Sequence, residues 1–314
     1  MPFFDPTVQN FLDSAAFGSV TTQEKSIHTL RAELEAMQAS TNPSLDSLDY
    51  ETLDIPVGPT GSVNIHIYKP KGRELVPTLV YIHGGGWMVG SPIAYQRLVV
   101  DLIEETGAGV FFINYSLCPE VVYPVPIEQS YAALQWLYAN GKTHGLNTEK
   151  VALAGDSAGA SISIGVTLLS LQRQTLVPRY LVLFVPVTDI SKQSSSYKLF
   201  PEGPIVVPSE FQEMIKAWIP DASRRTEILA SPLLATSEDL KGFSETLIFV
   251  AESDPLREEG EQFGRNLIAA GVNTTVFRSL AVVHGTVVLN AFSKIPATRA
   301  EIELAGLKIK RALV

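Results

Sequence analysis

Apolar residues recur along this chain in two rhythms, and the changes of rhythm mark out its elements. Residues 1 to about 45 read as helices, with 26–39 the clearest stretch; Phe4 and Phe11 lie seven apart on one helical face, with Phe17 nearby. Such a stripe serves either a core or a lid over a site. From 51 to 57 and from 62 to 68 the apolar positions alternate as in strands, joined by Gly58-Pro59-Thr60-Gly61 into a hairpin. Residues 78–82 form the short apolar run of a buried strand. A helix at 95–105, a strand at 109–114, a helix at 127–140 and a strand at 151 follow, and 160–172 reads as an amphipathic helix. Runs at 181–185, 246–251 and 274–278 continue the strands, with a helix at 257–270. Strands alternating with helices build a parallel sheet with right-handed crossovers, so the pattern predicts the α/β class.

The rhythm breaks between 191 and 220, where Pro201, Gly203, Pro204 and Pro208 punctuate a segment too long for an ordinary connection. Ser209 and Gln212 form a capping-box pattern ahead of Phe211, Ile215 and Trp218 at helical spacing. This is an inserted helical element, and its place after a strand puts it near the carboxyl edge of the sheet, where α/β proteins bind ligands. The expected organisation is a cap from residues 1–45 and 191–222 over a core from 46–190 and 223–314.

Composition narrows the classes of function. The 314 residues, 46% hydrophobic and 18% charged, suit one large domain with a small accessory element. A net charge of −9, with no basic cluster larger than Arg224-Arg225, speaks against nucleic acid and anionic membrane surfaces as partners. No apolar run is long enough to span a bilayer, and the first residues lack the basic and apolar parts of a secretory signal, so a cytoplasmic protein is expected. The single cysteine, Cys118, permits no intramolecular disulfide and no cysteine-clustered metal site; followed by Pro119, it reads as a small buried hydrophobe.

Two glycine-rich stretches carry the chemistry. Gly155-Asp156-Ser157-Ala158-Gly159 follows an apolar strand and opens a helix. A serine at such a sharp turn holds a strained backbone, the flanking glycines remove clashes, and the hydroxyl is exposed near helix-terminal amides that favour negative charge. Ser157 is the candidate nucleophile. His83-Gly84-Gly85-Gly86-Trp87 also follows a strand; glycines are costly to order, so their amides there suit a single oxygen, as in an oxyanion hole. Trp87 reads as packing or as pocket wall. Beyond strand 246–251 stand Asp254, held in a turn by Pro255, and a competing carboxylate, Glu252. Beyond strand 274–278 stands His284. His28, His66 and His144 fall in a helix, the hairpin and a polar turn, and His83 is tied to the glycine loop. The order Ser157, Asp254, His284, each after a strand, is that of an α/β-hydrolase.

Together HGGGW, GDSAG, DPLREEG and HG resemble the hormone-sensitive lipase-like esterases, a family that includes arylacetamide deacetylase and plant carboxylesterases; the resemblance covers about residues 48–314. It implies an α/β-hydrolase fold, with a mostly parallel eight-stranded sheet and a helical cap. It also implies that Gly85, Gly86 and Ala158 donate the oxyanion hydrogen bonds, that His83 braces their loop and that Asp156 supports the turn at Ser157. Ser116, where the family's Y-R-L-A-P-E stretch has arginine, Gln129, where an acid commonly stands, and Thr286, in place of an aromatic, depart from its pattern. The expected reaction is hydrolysis of carboxylic esters through an acyl-enzyme, without metal or cofactor. Elimination on the same scaffold and a non-catalytic receptor are the other readings. Phe4, Phe11, Trp87, Phe211 and Trp218 are the candidate pocket residues, suited to short or medium acyl groups or aromatic alcohols. The expected partners are a small ester and, in a homodimer, a second copy of the chain.

Overall fold

The apolar runs become the middle of an eight-stranded sheet. The computed structural model describes residues 3–14 and 25–314; Phe17 lies outside them. The strands are β1 (Leu48–Ile55), β2 (Val63–Pro70), β3 (Val76–Ile82), β4 (Gly109–Asn114), β5 (Leu146–Asp156), β6 (Tyr180–Phe184), β7 (Glu245–Ser253) and β8 (Thr274–Val283). Their order across the sheet is β1-β2-β4-β3-β5-β6-β7-β8, with β1/β2 and β2/β4 antiparallel and the remaining pairs parallel. The central strands are buried on both faces, which is why they read as continuous runs. Along β3, Leu79 and Tyr81 enter one core layer while Val80 and Ile82 enter the other.

Helices cover both faces. α3 (Pro92–Thr106) and α9 (Pro296–Leu313) pack together on one side. α4 (Val125–Asn140), α5 (Ser157–Gln172) and α8 (Arg257–Ala269) lie on the other, where α4 packs on α5. α5 differs from the amphipathic helix expected: every residue from Ser157 to Ser170 is buried, because the helix is enclosed by the sheet, α4 and the segment around Pro232. Its approach to β3 is close enough that a Cβ on Gly159 would stand 2.2 Å from the Ile82 carbonyl oxygen.

The two irregular segments also form helices. α1 (Pro6–Leu12) and α2 (Ile27–Ala39) precede the sheet, the latter capped by Ser26. α6 (Ser195–Leu199) and α7 (Pro208–Trp218) follow β6. The capping box at Ser209 is not the start of α7: Val207 is the N-cap, without a side-chain bond, and Pro208 occupies the first turn, where its missing N–H costs nothing. The departures at Ser116 and Gln129 meet one another. Gln129 Oε1 accepts the Ser116 amide at 2.9 Å, and its Nε2 donates to Ser116 Oγ and Thr60 Oγ1.

Candidate active site

Three strand ends deliver three side chains to one place. At the end of β5 the chain turns into α5 with Ser157 at φ 50, a left-handed backbone that few non-glycine residues adopt, and this turns Oγ out of the helix. Just past β7, Asp254 is fully buried, and its Oδ1 accepts the Leu256 amide at 2.9 Å, fixing the carboxylate in its turn. Just past β8, His284 lies between them, with Nε2 2.8 Å from Ser157 Oγ and Nδ1 2.8 Å from Asp254 Oδ2. An ionised Asp254 only accepts, so Nδ1 carries the ring proton and the Nε2 lone pair receives the serine O–H. Glu252, the competing carboxylate, accepts the Ala281 amide instead and faces β8.

The glycine loop runs alongside Ser157. Gly85 and Gly86 have φ of 96 and 58, and, among the described residues, their amides and that of Ala158 donate to no acceptor. Asp156 anchors this loop. Its Oδ1 accepts the Gly84 amide at 2.9 Å and the Tyr81 hydroxyl at 2.8 Å, while its Oδ2 accepts the Tyr95 hydroxyl at 2.9 Å. Burial pushes its carboxyl up to about 6 against the pull of those donors. Gly84 fits because a Cβ there would stand 2.3 Å from Asp156 Oδ2. His83 stacks on Tyr115 at 4.3 Å, and its Nδ1 lies 2.9 Å from the Gly84 carbonyl. Burial drives it down to about 4, so it is a neutral packing element away from the Ser157 hydroxyl.

Above these groups is a cavity of about 160 Å³, lined among others by Ser157, His284, Leu34, Val207, Phe211 and Met214. Glu210 and Met214 also line an open outer cleft of about 470 Å³ between α2 and α7. Of the aromatics nominated for the pocket, Phe211 lines it. Trp87 and Trp218 are fully buried and stack on each other at 3.8 Å, filling the core beneath α7. Phe11 packs edge-on against Phe292 at 5.0 Å, with Phe4 against the same cluster, so that stripe serves core. Large rings found better burial there than at a cavity wall. The walls that sequence reasoning missed include Leu34, Met214 and the loop residues Val288 and Leu289. The apolar run Ile205-Val206-Val207, which also lines the cavity, was a usable signal, lying in a segment already marked as inserted. Thr286, the third departure, binds the backbone of Val283 through its hydroxyl and so ties the turn that follows β8.

Among the described residues no group of three or more His, Cys, Asp or Glu side chains could hold a metal ion, and no helix is long and apolar enough to cross a membrane.

Comparison with known proteins agrees with this architecture. A family model described as the alpha/beta hydrolase fold matches residues 79–288. An esterase of Gibberella moniliformis is 38% identical over 256 residues, covering 81% of this chain and 80% of that one. The carboxylesterase NlhH of Mycobacterium tuberculosis is 30% identical, covering 99% and 97%. Among solved structures, carboxyl esterase 2 of Tuber melanosporum superposes with a TM-score of 0.88 at 39% identity, covering 99% of this chain and all of that one. A thermostable esterase of Pseudomonas putida reaches 0.94 at 34%, covering 100% and 99%. The eight-stranded sheet, the ordered motifs and these relatives lead to one conclusion: the chain belongs to the hormone-sensitive lipase-like carboxylesterases of the α/β-hydrolase superfamily.

Proposed function

We propose that this carboxylesterase works through Ser157, His284 and Asp254, and that it takes esters with short, apolar acyl groups. The observation that carries the reading is the unbroken relay at 2.8 Å and 2.8 Å beside glycine amides that, among the described residues, have no acceptor of their own. Ser157 Oγ attacks the ester carbonyl carbon as its proton passes to His284 Nε2. Negative charge then collects on the former carbonyl oxygen, where the amides of Gly85, Gly86 and Ala158 stabilise it without reorganising. Collapse of this intermediate returns the Nε2 proton to the leaving alcohol oxygen. Water, deprotonated by the same nitrogen, attacks the acyl-serine and releases the acid. Asp254 holds the imidazole in the required tautomer and stabilises the imidazolium that forms twice per cycle. The small cavity next to Ser157 supports a short acyl group, and the outer cleft leaves room for a larger alcohol. On this reading residues 1–45 and 191–222 form the cap, a division supported by Leu34 and Val207 on the cavity wall.

A serine-reactive phosphonate should label Ser157, and Ser157→Ala should lose both labelling and hydrolysis of p-nitrophenyl acetate. Full hydrolysis by that variant would sink the assignment.

A further inference from the structure

Gln38 is a polar side chain near the end of α2, yet it is 1% exposed, and its bonds reach the segment that carries His284. Its Nε2 donates to the carbonyls of Ala94, 3.0 Å away, and Val288, 2.9 Å away. Its Oε1 accepts the Asn290 amide at 3.0 Å, and its own backbone carbonyl accepts Asn290 Nδ2 at 2.9 Å. From α3, Arg97, 6% exposed, holds the same segment: Nε donates to Asn290 Oδ1 at 3.0 Å, and Nη2 to the carbonyls of Val287 and Val288 at 2.6 and 2.9 Å. Asp101 balances its charge through Nη1 at 2.9 Å. Burying an arginine and a glutamine is costly unless every bond is made, so this cluster is an arrangement the fold enforces.

The segment so held is not remote from the chemistry. His284, Gly285, Val288 and Leu289 all line the catalytic cavity, and the Gly285 carbonyl accepts the amides of both Val288 and Leu289. One turn before Gln38, on the same face of α2, Leu34 lines that cavity too. We propose that Gln38 and Arg97 are positioning residues for His284: they lock the 284–290 turn to α2 and α3, so that the seating of α2 sets the reach of the imidazole toward Ser157. The inference rests on the triad reading above. It gives α2 a part in turnover, where a helix that only roofed the cavity would affect substrate binding alone.

Gln38→Met keeps the length of the side chain and removes its hydrogen bonds; Arg97→Lys keeps the charge opposite Asp101 and removes the fork. A displaced base slows the chemical step by powers of ten per ångström, so each variant should lower kcat for p-nitrophenyl acetate roughly tenfold or more, with KM within about twofold. Rates are taken per site titrated with the phosphonate, which removes any unfolded fraction, and two variants guard against one failing to fold. Unchanged kcat per titrated site in both folded variants overturns the proposal, as does a rise in KM with kcat retained. If Ser157→Ala stays active, the triad reading fails instead, so the two failures are told apart.

Discussion

Asp156 sits where three donors converge and no donor of its own is wanted. Above about pH 6 its carboxylate accepts from Gly84, Tyr81 and Tyr95. Below that pH one oxygen carries a proton and must donate, which among these neighbours only a tyrosine hydroxyl can accept, so one of the tyrosine hydrogen bonds beside the glycine loop has to reverse. kcat/KM should therefore fall as the pH drops below about 6, where Asp156 gains its proton. A profile that stays flat through pH 6 would mean that the loop tolerates a protonated Asp156. At this scale the candidate reacting groups were legible because their demands are local. A strained serine needs glycines two residues away, and an acid or base presented beyond a strand needs a turn after it. Tyr81 and Tyr95 were not legible as partners of Asp156, since each looks from its neighbours like an ordinary core residue of a strand or a helix.

Among the elements, the parallel strands were readable from their apolar runs, and α2 as the clearest helical stretch ahead of the sheet. α9 carried a helical stripe at Ile302, Ala305, Ile309 and Leu313, but Thr298, Glu301 and Gly306 share its buried face and blur the contrast. Glu301 is an oddity of that face, 7% exposed with its carboxyl against the Ser279 hydroxyl of β8. Burial raises it to about 7 from the usual 4.5. The folded state thus holds this proton more tightly than the unfolded chain, so the contribution is fully favourable below about 4.5 and is lost as pH rises through about 7. Glu301→Gln, which keeps a partner for Ser279, should be more stable than the parent at about pH 8 by on the order of 2 kcal/mol and little different near pH 4. Denaturant unfolding at the two pH values checks this; equal gains at both would rule out ionisation as the cause.

The cavity belongs to the whole molecule, since its walls come from α2, the glycine loop, the segment leading into α7 and the turn after β8. No stretch of sequence carries such a surface, and this is why nominating pocket residues by aromatic stripe found Phe211 and otherwise selected core. Size is the property that emerges only here: about 160 Å³ beside Ser157, with Met214 shared between that space and the outer 470 Å³. Trimming it with Met214→Ala should join the two. The ratio of kcat/KM for p-nitrophenyl octanoate to that for the acetate should then rise roughly tenfold, the scale set by a few methylenes gaining a pocket. An unchanged chain-length profile would show that Met214 is no partition.

Met214 owes its position to a missing atom. Its sulfur rests 2.5 Å from where Gly86 would carry a Cβ, and Gly86 itself has φ 58. The residue nominated to steady the developing charge and the one proposed to limit acyl length therefore share a single small volume. In a lineage, any step that enlarges position 86 must move Met214 in the same stroke, so the loop cannot change there without touching substrate range. New specificities are instead open to it through changes at position 214 that leave the glycine as it is.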